Sequence, residues 1–384
     1  MKWKNKGHEY DNINQEFNKQ TPIWIYGAGD NGKSLYQRLS FADCVQGFID
    51  NDINKIGVIK GKRVVDSETF FASEKDNCIV VVAVSLENVP AVMGQMIRNG
   101  WEEGKNLFIY HIFLSSYLPI YALRSWNKIY IPSLSFIVTS LCNLDCIGCL
   151  NFNHFNRKKR HYDIEQLKND IDSLFEKADY IGFFHISGGE PFLYPHLNEL
   201  LLYIDSKYKS NIGMLGITTN GTIIPTNGLC EQIKNANVCI WLDNYQENVE
   251  LSRKNLNIVK EQFERYEISF INNCVSEWLN IKNEKVENDE QKLQVRCDAC
   301  NVPFISLKNQ RLFGCNYTDY ACEADIVKGD EHDYLDLSQI DPNERAIIIE
   351  FIMGYSIKGY YSFCKNCSGF LGINNNQLKV AEQY

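Results

Sequence analysis

Cys142, Cys146 and Cys149 stand in a CxxxCxxC run, CNLDCIGC, directly after the apolar segment SFIVTS. Three thiolates on one tight loop can hold three corners of a 4Fe–4S cluster and leave the fourth iron without a protein ligand. Such an open position lets a cluster bind and reduce a small molecule, just as catalytic zinc keeps a vacant position. The triplet taken alone also suits a structural zinc or chance spacing. Six further cysteines lie late in the chain: Cys297, Cys300, Cys315, Cys322, Cys364 and Cys367. Four of them are enough for a second cluster or for a structural zinc. Cys44, Cys78, Cys230, Cys239 and Cys274 sit in apolar contexts and read as buried core residues.

Three more motifs follow apolar runs. Ser187-Gly188-Gly189-Glu190-Pro191 pairs glycines, which let backbone carbonyls approach a ligand closely, with a carboxylate. Thr218-Thr219-Asn220-Gly221 and Asp243-Asn244-Tyr245 come next. Each has a plain alternative: a Gly-rich turn with a solvated Glu190, an Asn-Gly turn, and a capping role for Asp243. Near the start, Gly27, Gly29 and Gly32 form GxGxxG after the run PIWIY. Asp50 follows about 20 residues on, at the end of a second apolar run, as a ribose-binding acid would. Phosphate oxygens would there meet backbone N–H groups at a helix N-terminus.

Those residues need strand ends to hold them. Apolar runs at Pro22–Tyr26, Val45–Ile49, Cys78–Val84 and Leu107–Tyr110 alternate with helical patterns. They predict a small parallel-sheet α/β domain over residues 18–115, with a connector at 116–133. From Ser135 a second alternation begins. Strands are expected at 135–140, Gly182–Ile186, Ile212–Thr219, Val238–Leu242 and Glu267–Ile271. Helices are expected at Tyr162–Lys177, His196–Ser206 and Leu256–Tyr266. This repeated βα pattern suits a barrel or partial barrel over 133–274, whose chemistry gathers at the C-terminal ends of the strands. Every unusual motif of the region falls at such an end. Residues 275–384 lose the periodicity and gain cysteines, reading as a smaller extension.

Taken together, CNLDCIGC, SGGEP and TTNG resemble the radical S-adenosylmethionine (radical SAM) superfamily, with Gly148 where the family usually carries an aromatic residue. The resemblance implies that Cys142, Cys146 and Cys149 ligate a 4Fe–4S cluster that binds SAM. It implies that Gly188, Gly189, Glu190 and Pro191 hold the methionine end, the carboxylate pairing with its ammonium group. Thr219, Asn220 and Asp243 are then placed to face SAM or substrate. An electron from the reduced cluster breaks the S–C5′ bond, and the resulting 5′-deoxyadenosyl radical abstracts a hydrogen. The late pattern CDACNVPFISLKNQRLFGC followed by FCKNC resembles the SPASM/twitch extension. That implies a hairpin over Phe304–Phe313, with Gln310 where the family usually has Gly. It also implies an auxiliary 4Fe–4S cluster on Cys300, Cys315, Cys364 and Cys367, with Cys297 the chief substitute for Cys300.

The N-terminal stretch IYGAGDNGKSLYQRL with VQGFIDND resembles Rossmann-type modules attached to bacterial sugar-modifying and surface-polysaccharide enzymes. Such a module would bind NAD(P) or a nucleotide sugar, or serve for docking alone. The fold expected is thus α/β: a Rossmann-like parallel sheet, a radical SAM partial (β/α) barrel and a cysteine-rich extension. The function expected is hydrogen abstraction from a carbohydrate or nucleotide sugar, ending in dehydrogenation or epimerisation, with Tyr245 and Cys322 as candidate hydrogen donors. A peptide-modifying maturase and a non-catalytic nucleotide-sugar sensor are the alternatives.

Bulk properties bound the partners. A formal charge of −9 argues against wholesale binding of nucleic acid or anionic lipid. The run Leu107–Leu123 contains His111, Ser115, Ser116 and Pro119 and is short for a bilayer span, which needs about 20 mainly apolar residues. It reads as a buried strand and a packed connector, so no membrane role is expected. The first residues, MKWKNKGHEYDN, have no apolar stretch of the kind that directs secretion, so a cytoplasmic location is expected. There a flavodoxin- or ferredoxin-type protein would supply the electron.

Overall fold

The computed structural model describes residues 21–73, 78–300, 302–354 and 357–384. The expected domain start at residue 18 lies outside them. The chain divides into two compact units at Pro132/Ser133.

In the first unit, strands β1 (Ile23–Tyr26), β2 (Val45–Ile49), β3 (Gly57–Ile59), β4 (Lys62–Val65), β5 (Ile79–Val82) and β6 (Leu107–Ile109) form one sheet in the order β3-β4-β2-β1-β5-β6. All neighbours run parallel except β3 and β4. The chain leaves β1 toward β2 on one side and returns to β5 on the other, which puts a topological switch point beside β1. β1 and β5 are buried along their whole length, as strands covered on both faces must be. The expected packed connector contains a helix, Leu118–Trp126, buried on most sides through Leu118, Pro119, Ile120, Tyr121 and Ala122, and the unit continues through β7 (Tyr130–Ile131). Among the described residues no helix is long and apolar enough to cross a membrane.

In the second unit, β8 (Leu134–Ile137), β9 (Tyr180–Ser187), β10 (Ile212–Thr219), β11 (Cys239–Asp243) and β12 (Phe270–Asn273) lie side by side, each parallel to the next. The helices Ile164–Lys177, Leu197–Tyr208, Asn227–Asn235 and Glu250–Arg265 connect them. Asp163 and Thr226 cap two of these, accepting from Gln166 N at 2.9 Å and Leu229 N at 3.2 Å. The run does not close on itself. Beyond β8 come β14 (Ile305–Lys308), β15 (Arg311–Phe313) and β16 (Tyr334–Asp336), while β13 (Glu277–Leu279) pairs separately with β17 (Gln377–Lys379). Because β14 runs parallel on β8, residues beyond 274 extend the barrel sheet and share one unit with it.

The hairpin between β14 and β15 turns at Asn309 and Gln310, whose φ values are 52° and 58°. Left-handed backbone normally favours Gly, but Asp170 accepts from both turn amides, at 2.9 Å and 2.7 Å. A carboxylate on the neighbouring helix thus holds the turn that Gln310 would otherwise disfavour.

Candidate active site

Gly188 and Gly189 end β9 against the chain that enters the cysteine loop. Gly189 N donates to Thr139 O at 2.7 Å and Glu190 N to Leu141 O at 2.9 Å. A Cβ on Gly189 would stand 2.2 Å from Leu141 O, and one on Gly188 2.4 Å from Thr139 O. Only glycines allow this backbone-to-backbone approach, so the pair sets where Cys142 begins.

Glu190 is fully buried. Its carboxylate accepts from Phe192 N at 3.0 Å, Thr219 Oγ1 at 2.8 Å and Asn220 N at 2.8 Å, tying the end of β9 to the end of β10. Burial pushes its pKa up to about 7, although all three donors pull it down. A buried carboxylate with donors but no cation among its partners is suited to an ammonium group.

Asn220 carries the contact onward. Its Nδ2 donates to Asn143 Oδ1 at 3.0 Å, and Asn143 donates in turn to Thr222 Oγ1 at 2.8 Å. The same Nδ2 lies 3.8 Å from Cys142 Sγ, which also receives Leu144 N at 3.4 Å. Asn143 and Thr222 escaped sequence reasoning because a lone Asn or Thr has no signature. Asp243, mostly enclosed at the end of β11, accepts from Tyr245 Oη and Asn273 Nδ2, each at 2.6 Å. Tyr245 is buried among Cys146, Cys149 and Trp278, and burial raises its phenol pKa far above the ordinary value.

Burial pushes the Cys142 thiol up to about 12 and Cys146 to about 11, and raises Cys149. Thiols so disfavoured as free anions gain most from a cationic soft metal. Among the described residues no three His, Cys, Asp or Glu side chains stand at metal-holding distances.

Five late cysteines lie near one another in the extension. Cys364 shares a hydrogen bond with Cys297, which lifts its pKa most, and it feels Cys315. Cys367, raised to about 11 chiefly by burial, feels Cys300 and Cys297. Cys297 thus lies near Cys364 and Cys367, where it can stand in for Cys300. Cys322 does not join: its sulfur faces Gly329, and a Cβ there would meet it at 2.8 Å. Of the expected core cysteines, Cys78 and Cys230 are buried, Cys44 and Cys239 are partly so, and Cys274 at the exit of β12 is exposed.

Beside Gly188 and Gly189 opens a cavity of about 320 Å³. Its wall includes Asn151, His161, Lys308, Asp319, Tyr320 and Glu323. The helix Asn316–Glu323 turns Asp319, Tyr320 and Glu323 to this wall, and its period carries Cys322 off it. Tyr245 is not on the wall either, so the cavity has neither of the two expected hydrogen donors. On the inner face of β9, His185 accepts or donates to Thr218 Oγ1 at 2.7 Å beside Phe183, Trp241 and Phe304. Burial lowers its pKa to about 4, leaving the ring neutral.

In the first unit Gly27 has φ 114°, and a Cβ on Gly32 would lie 1.9 Å from Gly27 O, while Gly29 faces open space. Gly29 and Asp50 border a cavity of about 720 Å³ at the switch point. Asp50 accepts from Ala28 N at 2.8 Å, Asp52 N at 2.9 Å and Lys55 Nζ at 3.2 Å, and so braces the glycine loop.

Residues 136–267 match the Radical SAM superfamily. The chain carries a radical SAM domain. A radical SAM enzyme uses a 4Fe–4S cluster and S-adenosyl-L-methionine and needs an electron donor. The chain is 33% identical over 95 residues to the antilisterial bacteriocin subtilosin biosynthesis protein AlbA of Bacillus subtilis, a match over 25% of this chain. The chain spans 20% of that relative's length. Among solved structures, native anSMEcpe with bound AdoMet aligns with TM-score 0.42 and 12% identity, over 62% of this chain and 89% of that one. BtrN in complex with AdoMet and 2-DOIA aligns with TM-score 0.38 and 18% identity, over 66% of this chain and 97% of that one. The radical SAM domain contains the cysteine loop, the Gly188-Gly189-Glu190 end and the Asn220 end, whose donor set fits a cluster and an amino-acid-like ligand.

Proposed function

We propose that this radical SAM enzyme removes a hydrogen atom from a carbohydrate or nucleotide-sugar substrate in surface-polysaccharide or glycoside biosynthesis. When bound, the reduced cluster and SAM supply a 5′-deoxyadenosyl radical for that step. Cys142, Cys146 and Cys149 would hold the cluster. Gly188, Gly189, Glu190, Pro191, Thr219, Asn220 and Asp243 would seat SAM. Cys300, Cys315, Cys364 and Cys367, joined by Cys297, would hold an auxiliary cluster in the 275–384 extension.

The observation that carries the substrate class is the cavity beside Gly188 and Gly189. Its wall carries the carboxylates of Asp319 and Glu323, the Lys308 ammonium that pairs with both, Asn151, which donates to Gly188 O, and the ring of Tyr320. Mixed donors and acceptors with an aromatic face suit a polyhydroxylated ring better than an apolar molecule. Dehydrogenation would take a second electron and a hydroxyl proton from the substrate, whereas epimerisation would return a hydrogen to the same carbon. Gly27, Gly29, Gly32 and Asp50 would let the first unit hold NAD(P) or a nucleotide sugar. A flavodoxin- or ferredoxin-type protein would donate the electron.

The test is to incubate reconstituted, reduced protein with deuterated sugars and nucleotide sugars and to follow deuterium into 5′-deoxyadenosine. Transfer from any of them supports the proposal. Modification of a peptide is the second reading, favoured by the likeness to the bacteriocin biosynthesis protein AlbA. Deuterium transfer from a labelled peptide, with none from sugars, would establish that reading instead.

A further inference from the structure

Gly148 stands inside the cysteine loop where a larger side chain is usual, and its surroundings explain the exchange. A Cβ on Gly148 would meet Leu378 Cδ1 at 3.0 Å and Trp278 Cε3 at 3.2 Å. Those two side chains come from the paired strands β17 and β13. They fill the space from outside the loop.

The chain after β17 continues along the same loop. Ile147 N donates to Glu382 O at 2.8 Å, and Tyr384 N donates to Asp145 O at 3.0 Å. Cys146 and Gln383 form an antiparallel bridge. The Gln383 side chain uses both ends of its amide: Oε1 accepts from Asp145 N at 2.8 Å, and Nε2 donates to Cys146 Sγ at 3.0 Å. Because Asp145 N can only donate, the oxygen must face it, which leaves Nε2 to donate one N–H to sulfur and the other to Ala381 O at 2.7 Å. Asn248 Nδ2 donates to Val380 O at 2.7 Å, and Val380 and Ala381 are buried. Tyr384 stacks on His154 at 3.4 Å, and His154 pairs with Asp145 at 3.1 Å. Four hydrogen bonds therefore hold residues 382–384 on the loop, while Asn248 and His154 hold Val380 and Tyr384 from beside it.

We infer that Gln377–Tyr384 is a strap that holds the cysteine loop, and that Gln383 is a positioning residue whose N–H···S hydrogen bond to Cys146 makes the bound cluster easier to reduce. Reduction adds negative charge to the cluster and its thiolates, and an N–H directed at sulfur stabilises that charge. Hydrogen bonds to the sulfurs are among the factors that set a cluster's potential. The inference rests on the radical SAM domain and on Cys146 as a ligand, not on the substrate class. A failed sugar screen leaves it standing.

The experiment compares wild type with Gln383→Leu and Gln383→Glu in the reconstituted full-length protein. Iron per chain is measured first, and the midpoint potential is then read by EPR-monitored titration of the signal that changes on adding SAM. The Glu variant keeps an acceptor for Asp145 N but has no N–H for sulfur. It should hold wild-type iron, while its ratio of reduced to oxidised cluster at fixed potential falls about tenfold, or about 59 mV for a one-electron couple. The Leu variant should show the same direction of shift, or lose iron from the loop as the strap lifts, and either result supports the inference. A wild-type midpoint in Gln383→Glu overturns it.

Discussion

Glu190 Oε2 accepts the backbone N–H of Asn220 at 2.8 Å, although the two residues stand at the ends of different strands. This bond, with that from Thr219 Oγ1, makes one rigid edge of motifs that are 30 residues apart. Asn220 then reaches Asn143 and Cys142, so the carboxylate, the amide and the first cysteine move as a unit.

The Glu190 carboxyl titrates at about 7 in the folded chain, against 4.5 ordinarily. Since the folded state holds the proton more tightly, this contribution to stability is complete below pH 4.5 and is lost as pH rises to about 7. The loss is on the order of 3 kcal/mol. Urea unfolding of the apoprotein at several pH values should show this decline, and Glu190→Gln should flatten it. An equal slope in the variant would remove Glu190 as the cause.

Gly189→Ala places a Cβ 2.2 Å from Leu141 O and 2.9 Å from Cys142 N. Backbone must shift to relieve such contacts, and the shift falls on the entry to the cysteine loop. Reconstituted Gly189→Ala should hold about four irons per chain against about eight in wild type, with 5′-deoxyadenosine formation lost. Full iron loading would show that the loop tolerates the shift.

Asn220→Ala removes the amide between Asn143 and Cys142 while leaving the backbone bond to Glu190. Losing such a polar link costs roughly 1–2 kcal/mol. SAM affinity, measured anaerobically by equilibrium dialysis, should weaken about tenfold. Unchanged affinity would place Asn220 outside the binding edge.

Cys364→Ser together with Cys367→Ser should lower iron from about eight to about four per chain while SAM cleavage continues. Cys297→Ser and Cys300→Ser singly should each keep most of that iron, because five thiols lie near one another where four suffice. Zinc in place of iron at this site would show up directly in metal analysis.

Gln310→Gly should stabilise the protein by about 1 kcal/mol, since it relieves a left-handed residue at a turn. Asp170→Ala should do the reverse, by roughly 1–3 kcal/mol, because two turn amides lose their acceptor. Denaturant midpoints of both variants decide the matter.

The local signals were legible because they depend on neighbours in sequence. The CxxxCxxC run, the paired glycines at 188 and 189 and the alternation of strands and helices could be read from spacing alone. Ile212–Thr219 appears as a strand with the expected bounds, and the β14–β15 turn at Asn309 and Gln310 falls inside the hairpin expected over Phe304–Phe313. What spacing could not reveal was the partner of each group. Glu190 read as a carboxylate for a ligand's ammonium group, and only the fold showed the three donors, Phe192 N, Thr219 Oγ1 and Asn220 N, that hold it in place. Cys322 looked like a member of the late cysteine set, yet its sulfur packs against Gly329, off the wall that Asp319 and Glu323 line. Gly148 looked like a gap in the loop, and only folding brought Trp278 and Leu378 to fill it. Sequence thus determined which side chains could do chemistry and which strands carry them. Tertiary structure decided which are spent on one another, because a hydrogen bond or a packed side chain depends on distance in space, and residues 146 and 383 are neighbours only after the chain has folded.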